Sequence, residues 1–189
     1  LYFTPANEIL FFRANDGSHG NELWATDGSR AGTYMVKDIH RSGGSEPEYL
    51  TVLDGIVFFN ANDGIHGFEL WKSDGTSAGT QLVLDIDTTG SGDPQNLIDF
   101  NGLLFFSAEN ELFGRELWMS DGTPEGTRMV ADINPAGGSD PANFAVSNGL
   151  LFFSANDGTD NGIELWMTDG TPAGTQLVKN INPDGDSFP

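Results

Sequence analysis

Cysteine is absent from this chain, and basic residues are scarce. Without cysteine there is no disulfide, no thiolate zinc site and no cysteine nucleophile. Eight lysines and arginines stand against 28 aspartates and glutamates, which gives a formal net charge of −20 at pH 7. A surface of this sign repels nucleic-acid phosphates and anionic membranes, so we expect no nucleic-acid partner.

Long apolar runs and helical periodicity are also missing. No apolar run is long enough to cross a bilayer, so we expect no membrane insertion. The apolar residues come in short runs bounded by Gly, Asn, Asp or Pro, and no 3.6-residue period is sustained. Only three histidines occur, and their spacing indicates neither a Ser-His-Asp triad nor a transition-metal site. We therefore expect an all-β chain without enzymatic activity.

What the chain does contain is one segment that occurs four times. Its second copy covers residues 69–80 and reads ELWKSDGTSAGT. The tryptophans of the four copies, 47, 47 and 48 residues apart, are Trp24, Trp71, Trp118 and Trp166. A fixed period of this length indicates a repeat architecture. We predict a single domain over 1–189 with repeats at approximately 1–47, 48–94, 95–141 and 142–189.

The common pattern is E-L-W-x-[ST]-D-G-[ST]-x-x-G-T, and it resembles the ELWxxDGT repeat family. The resemblance covers the whole chain. It implies tandem repeats in a large bacterial protein and an extracellular or cell-surface location, but no particular chemistry. The chain starts at Leu1 without methionine or a signal peptide, so we expect a processed form or a segment of a longer protein.

Each repeat is predicted to hold four short strands. In the second repeat these are residues 49–53, 56–61, 68–73 and 80–86. The first two are joined by Asp54-Gly55, and Asn101-Gly102 and Asn148-Gly149 stand at the equivalent places. Such dipeptides strongly favour tight hairpins. Four antiparallel strands per repeat of this length predict a four-bladed β-propeller, with half of an eight-bladed propeller as the alternative. A parallel β-solenoid disfavours such hairpins.

The number of repeats also bears on closure. Four whole repeats leave no strand at one end to complete a blade at the other. We expect blade four to pack against blade one in a closed ring that brings Leu1 and Pro189 together. The alternative is packing on blade one of a second copy, which closes an eight-bladed ring or continues as a filament.

The repeated aromatic residues are predicted to form the core. Both faces of a propeller blade are covered by neighbouring blades, so the four tryptophans are expected to be mostly buried between blades. The adjacent Phe pairs, such as Phe58-Phe59, indicate strands buried on both faces. A sugar-stacking ledge is the alternative role of the tryptophans.

Pairs of acidic residues in the loop before each motif are candidate calcium ligands. Two carboxylates on a Gly-rich loop with nearby amide and carbonyl oxygens suit this hard cation. The tentative pairs are Asp16 with Glu22, Asp63 with Glu69, and Asp157 with Glu164. In the third repeat Asn110 replaces the aspartate. The alternative is turn chemistry, in which the Asp-Gly pair forms a turn and the Glu caps loop amides.

The turn aspartates of the motif are predicted to be structural. Like the Asp-box of sialidase propellers, they place Asp, Gly and Thr on a blade hairpin. Their carboxylates can accept backbone N–H bonds within the turn. These residues are Asp27, Asp74, Asp121 and Asp169.

Together these features favour a non-enzymatic binding or structural module of a secreted or cell-surface protein. A rigid scaffold would present its loops to a protein or glycan partner, or to copies of itself. The alternative is a carbohydrate-binding lectin or adhesin with one pocket per blade. A hydrolase, which would need a single asymmetric cleft, is the third hypothesis.

Overall fold

A computed structural model describes residues 3–189 and shows four antiparallel sheets of four strands each. Neighbouring strands in a sheet are also neighbours in the sequence. Blade one contains β1 (Phe3–Ala6), β2 (Ile9–Asn15), β3 (Asn21–Thr26) and β4 (Thr33–Lys37). Blade two contains β5 (Glu48–Leu53), β6 (Ile56–Asn62), β7 (Phe68–Ser73) and β8 (Gln81–Leu84). Blade three contains β9 (Gln95–Phe100), β10 (Leu103–Asn110), β11 (Gly114–Ser120) and β12 (Arg128–Ala131). Blade four contains β13 (Ala142–Ser147), β14 (Leu150–Asn156), β15 (Ile163–Thr168) and β16 (Gln176–Lys179). The predicted four-bladed β-propeller is confirmed.

The first hairpins of blades two, three and four follow from their turn residues. Asp54 and Gly55 have φ angles of 49° and 79°, and Asn101 and Gly102 have 55° and 76°. Asn, Asp and Gly adopt this left-handed conformation at least cost, and its twist matches that of the flanking strands. Residues 3–189 contain no helix that could cross a membrane.

The strand bounds of blade two largely match the prediction. β7 covers the predicted residues 68–73, and β5 and β6 are one residue longer than expected. β8 ends at Leu84, two residues before the predicted end. Beyond it, the amide of Ile86 donates to the Glu69 carboxylate instead of a strand neighbour. A side chain thus replaces the sheet ladder there.

Consecutive blades pack through two apolar faces, which we call the forward and the rear face. At the first interface, blade one contributes its forward face, formed by Phe11, Leu23, Val36 and Ile39. Blade two contributes its rear face, formed by Val57, Phe59, Ala61 and Trp71. The same positions of the next repeats fill the interfaces between blades two and three and between blades three and four.

The predicted burial of the tryptophans is confirmed at these interfaces. Trp71, Trp118 and Trp166 are 7%, 9% and 9% exposed. Trp24 is only partly buried, because it lies on the rear face of blade one, which no other blade within residues 3–189 covers. The first Phe of the pair in blade four, Phe152, is likewise only partly buried on the uncovered forward face.

The two end faces of the array do not cover each other. Each buried apolar cluster in residues 3–189 joins consecutive blades, and none combines blade four with blade one. Val178 and Ile181 of blade four are 42% and 53% exposed, whereas their equivalents Val83 and Ile86 are 3% and 5% exposed. The expected packing of blade four on blade one is therefore wrong for the described chain. Leu1, which was expected to lie close to Pro189, is outside the described residues.

Candidate functional site

The Asp-Gly turn of the motif is closed by its own side chains. Asp74 Oδ1 accepts hydrogen bonds from the amide and the hydroxyl of Thr76, at 2.8 and 2.7 Å. The hydroxyls of Ser73 and Thr80 bond to each other, and Gly75 N–H donates to Ser73 Oγ. The Thr76 hydroxyl lowers the pKa of Asp74 because it stabilises the carboxylate. The predicted structural role of this aspartate is confirmed, and Asp121 and Asp169 have equivalent bonds.

The second glycine of the motif is needed for the same turn. A methyl group at Gly79 would overlap the Asp74 carboxylate. The other three copies have the same close approach between glycine and aspartate. The motif positions Asp, Gly and Thr are thus set by one compact hydrogen-bonded turn.

The motif glutamate fastens the long connection that leads to the next blade. Glu116 is 0% exposed, and its carboxylate accepts bonds from the amides of Ile133, Asn134 and Ser139 at 3.0, 3.1 and 3.2 Å. The Ser139 hydroxyl adds a bond of 2.6 Å. Charged acceptors make the stronger protein hydrogen bonds, and they satisfy buried donors that would otherwise be unpaired. Glu22, Glu69 and Glu164 are equally buried and accept bonds from equivalent amides.

The carboxylates of each predicted calcium pair have different hydrogen-bond partners. Asp16 Oδ1 accepts from the amides of Ser18 and His19 in its own loop, and Oδ2 contacts the His19 ring at 2.7 Å. The His19 hydrogen bond lowers the pKa of Asp16 to about 2. Glu22 instead holds the connection that follows blade one.

In the other two pairs, the aspartate and the glutamate also bond to different segments of the backbone. Asp63 bonds within its loop to Ile65 and His66, and Asp157 bonds within its loop to Thr159 and Asn161. Glu69 and Glu164 fasten the connections, as above. Within residues 3–189, no group of three or more His, Asp or Glu side chains is placed to hold a metal ion.

Calcium binding by these loops stays a prediction. A bound ion stabilises the folded state by mass action, so binding would raise the melting temperature in millimolar Ca²⁺ and lower it in chelator. The measurement is a pair of thermal melts at equal ionic strength. Superimposable curves would rule out calcium at all three pairs.

Three of the buried motif glutamates, Glu69, Glu116 and Glu164, have shifted pKa values, and burial raises the pKa of Glu116 as it does that of Glu69. Burial raises the pKa of Glu69 from an ordinary value of 4.5 to about 7. Glu22 and Glu116 accept a hydroxyl bond from Ser45 and Ser139, but the equivalent residue for Glu69 is Gly92, which offers only its amide. For Glu164, burial also raises the pKa, but hydrogen bonds from Ser187 and from the backbone outweigh it and lower the value.

These two pKa shifts predict that the contributions of Glu69 and Glu164 to stability change with pH in opposite directions. Folded Glu69 holds its proton more tightly than unfolded Glu69, so its contribution to stability is complete below pH 4.5 and is lost as the pH rises through about 7. We expect the free energy of unfolding of Glu69→Gln, relative to that of the wild type, to rise by about 3 kcal/mol between pH 4.5 and about 7. Urea titrations at a series of pH values measure this difference. Glu164→Gln is the matched control, because the lowered pKa of Glu164 places its own loss of stability below pH 4.5, and its curve should stay nearly parallel to that of the wild type across this range. Parallel curves for the wild type and Glu69→Gln would contradict the assignment.

A cleft of about 410 Å³ lies between blades one and two. It is lined by Ile39, Arg41, Ser42, Asp63, Gly64, Ile65 and Trp71. Arg41 is exposed, and it has no hydrogen-bond or ion-pair partner among the described residues. In the sequence, Arg41 is one of the few charged residues unique to one repeat, and it belongs to no recognisable catalytic constellation. The equivalent residues Thr88, Pro135 and Pro183 are uncharged, so Arg41 breaks the repeat.

Comparison with known proteins supports the fold. No protein-family model and no curated protein sequence matches the chain. Among solved structures, one from a study of two prolyl endopeptidases matches with a TM-score of 0.61 at 13% identity, over 93% of this chain and 26% of that one. A puromycin hydrolase S511A mutant complexed with PGG matches with a TM-score of 0.59 at 14% identity, over 93% of this chain and 28% of that one. The chain thus spans about a quarter of the length of these proteins. At such identities the similarity shows the propeller fold alone.

Proposed function

We propose that this chain is a non-enzymatic binding and assembly module of a secreted or cell-surface protein. The observation that carries the proposal is that the motif residues serve the scaffold. The Glu fastens the connection, Leu and Trp fill the interfaces between blades, and Asp, Gly and Thr close a turn. Reactive carboxylates would need to be free to meet a substrate, whereas these are occupied by backbone donors.

The loops between the second and third strands of the blades are the variable part of this scaffold. At equivalent positions, blade two carries Ile65 and blade three carries Leu112, which are 82% and 81% exposed. Blade one has the polar Ser18 there. Exposed apolar side chains on an acidic surface provide contacts for a protein partner.

The proposed absence of catalysis is tested with panels of aryl glycosides and peptide anilides. The expected result is no turnover above buffer. Turnover that Glu69→Gln abolishes without unfolding the chain would establish an enzyme. The presence of turnover would overturn the role proposed here.

A carbohydrate-binding role is the second candidate, and the cleft between blades one and two favours it. Arg41 is exposed in this cleft and has no partner among the described residues, and a guanidinium can donate hydrogen bonds to sugar hydroxyls. A glycan array probed with the wild type should then give signals that Arg41→Ala removes. Arg30→Ala, an exposed arginine in the turn of blade one, is the matched control. An array without signals that depend on Arg41 would rule out this site.

A further inference from the structure

The two uncovered end faces have the composition of a buried blade interface. The forward face of blade four consists of Phe152, Leu165, Val178 and Ile181, at the positions that Phe11, Leu23, Val36 and Ile39 occupy in blade one. The rear face of blade one consists of Leu10, Phe12, Ala14 and Trp24, at the positions of Val57, Phe59, Ala61 and Trp71. The two end faces are therefore the halves of a fourth copy of the same interface.

The motif turn of blade one shows the same lack of a neighbour. At internal interfaces the turn glycine lies against the preceding blade. A methyl group at Gly75 would be 3.4 Å from Phe11, and one at Gly170 would be 3.2 Å from Phe105. A methyl group at Gly28 of blade one would have no other described residue within 4 Å. The space that Phe152 of a preceding blade four would fill is open.

The end faces also carry residues equivalent to the donor and the acceptor of a hydrogen bond that joins blades one and two. Within the array, Lys37 of blade one donates from Nζ to the carbonyl of Thr80 at 2.7 Å and lies 6.0 Å from the centre of the Trp71 ring. Blade four has Lys179 at the equivalent position, and it is exposed. The equivalents of Thr80 and Trp71 on blade one are Thr33 and Trp24. An equivalent bond would join Lys179 to Thr33 of another copy.

We propose that the forward face of blade four binds the rear face of blade one of a second copy of this chain. This inference rests on the assembly role proposed above, and it names the partner. The contact is head-to-tail, so it uses different surfaces on the two copies. Such contacts close into a ring or continue as a filament. The internal interfaces supply the geometry, because each already joins these two faces.

Sedimentation velocity of the 189-residue chain tests this contact. At about 0.15 M NaCl, which screens the repulsion between acidic copies, we expect the mass to rise with concentration between about 1 and 100 µM. Ile181→Glu should weaken association at least about tenfold, because it places a charge in the interface. Ile65→Glu makes the same change at a loop position that is 82% exposed and should leave association unchanged. Lys179→Gln, which alters only an exposed side chain, should weaken association while the melting temperature of the dilute chain stays the same.

A mixing experiment tests the head-to-tail arrangement. Ile181→Glu disables the forward face, and Trp24→Glu disables the rear face. Each variant alone should be monomeric, while an equimolar mixture should form a dimer through its one intact pair of faces. Thermal melts of both dilute variants check that each remains folded.

Three results would overturn the proposal. These are a wild-type chain that is monomeric at about 100 µM, equal weakening by Ile181→Glu and Ile65→Glu, and self-association of either disabled variant alone with the affinity of the wild type. A monomeric chain without enzymatic turnover would remove this contact but leave the binding role standing. Turnover in the substrate panels would instead remove the role itself.

Discussion

Replacing Glu116 with alanine is expected to destabilise the folded chain by about 3–5 kcal/mol. The substitution removes the acceptor of three amides and one hydroxyl in the connection between blades three and four. Donors left unpaired in a buried site each cost about 1–3 kcal/mol, less where water reaches them. The free energy of unfolding from urea titration measures the effect.

Glu125→Ala is the matched control for this substitution. Glu125 is an exposed acid of the same blade, and its replacement should change the free energy of unfolding by less than about 0.5 kcal/mol. Equal effects of the two substitutions would mean that the Glu116 carboxylate does not hold the connection.

The second large effect is expected at the tryptophan between blades one and two. Trp71→Ala removes a side chain that is 7% exposed, and the cavity should cost about 3–5 kcal/mol. Trp24→Ala makes the same change on the uncovered rear face, where it should cost less than half as much in dilute protein. Equal losses would show that blade one is covered as fully as blade two.

Much of the fold could be predicted from sequence because the repeat shows it four times. The Asp54-Gly55 turn and the bounds of β7 follow from local residue types. The role of Glu69 was open between calcium and capping, because its amide partners lie in the connection 17 and 23 residues later. A signal existed in that an isoleucine follows each motif glutamate at an offset of 17 residues, as in Glu22 with Ile39.

The end faces could not be predicted from the repeat itself. Trp24 and Trp71 lie in nearly identical segments, and only the position of their blades in the array makes one partly exposed and the other buried. Sequence also could not separate Asp16 from Glu22, because the loop that joins them turns the two carboxylates towards different backbone segments.

The central claim is that each motif glutamate holds the connection that follows its blade. Hydrogen exchange at four equivalent isoleucine amides tests this claim most directly. Each amide donates to its motif glutamate, and the four residues are Ile39, Ile86, Ile133 and Ile181. In dilute protein we expect strong protection of the first three amides and exchange at least about tenfold faster at Ile181, whose side chain is 53% exposed. Exchange of the first three at the rate of unprotected loop amides would contradict the account.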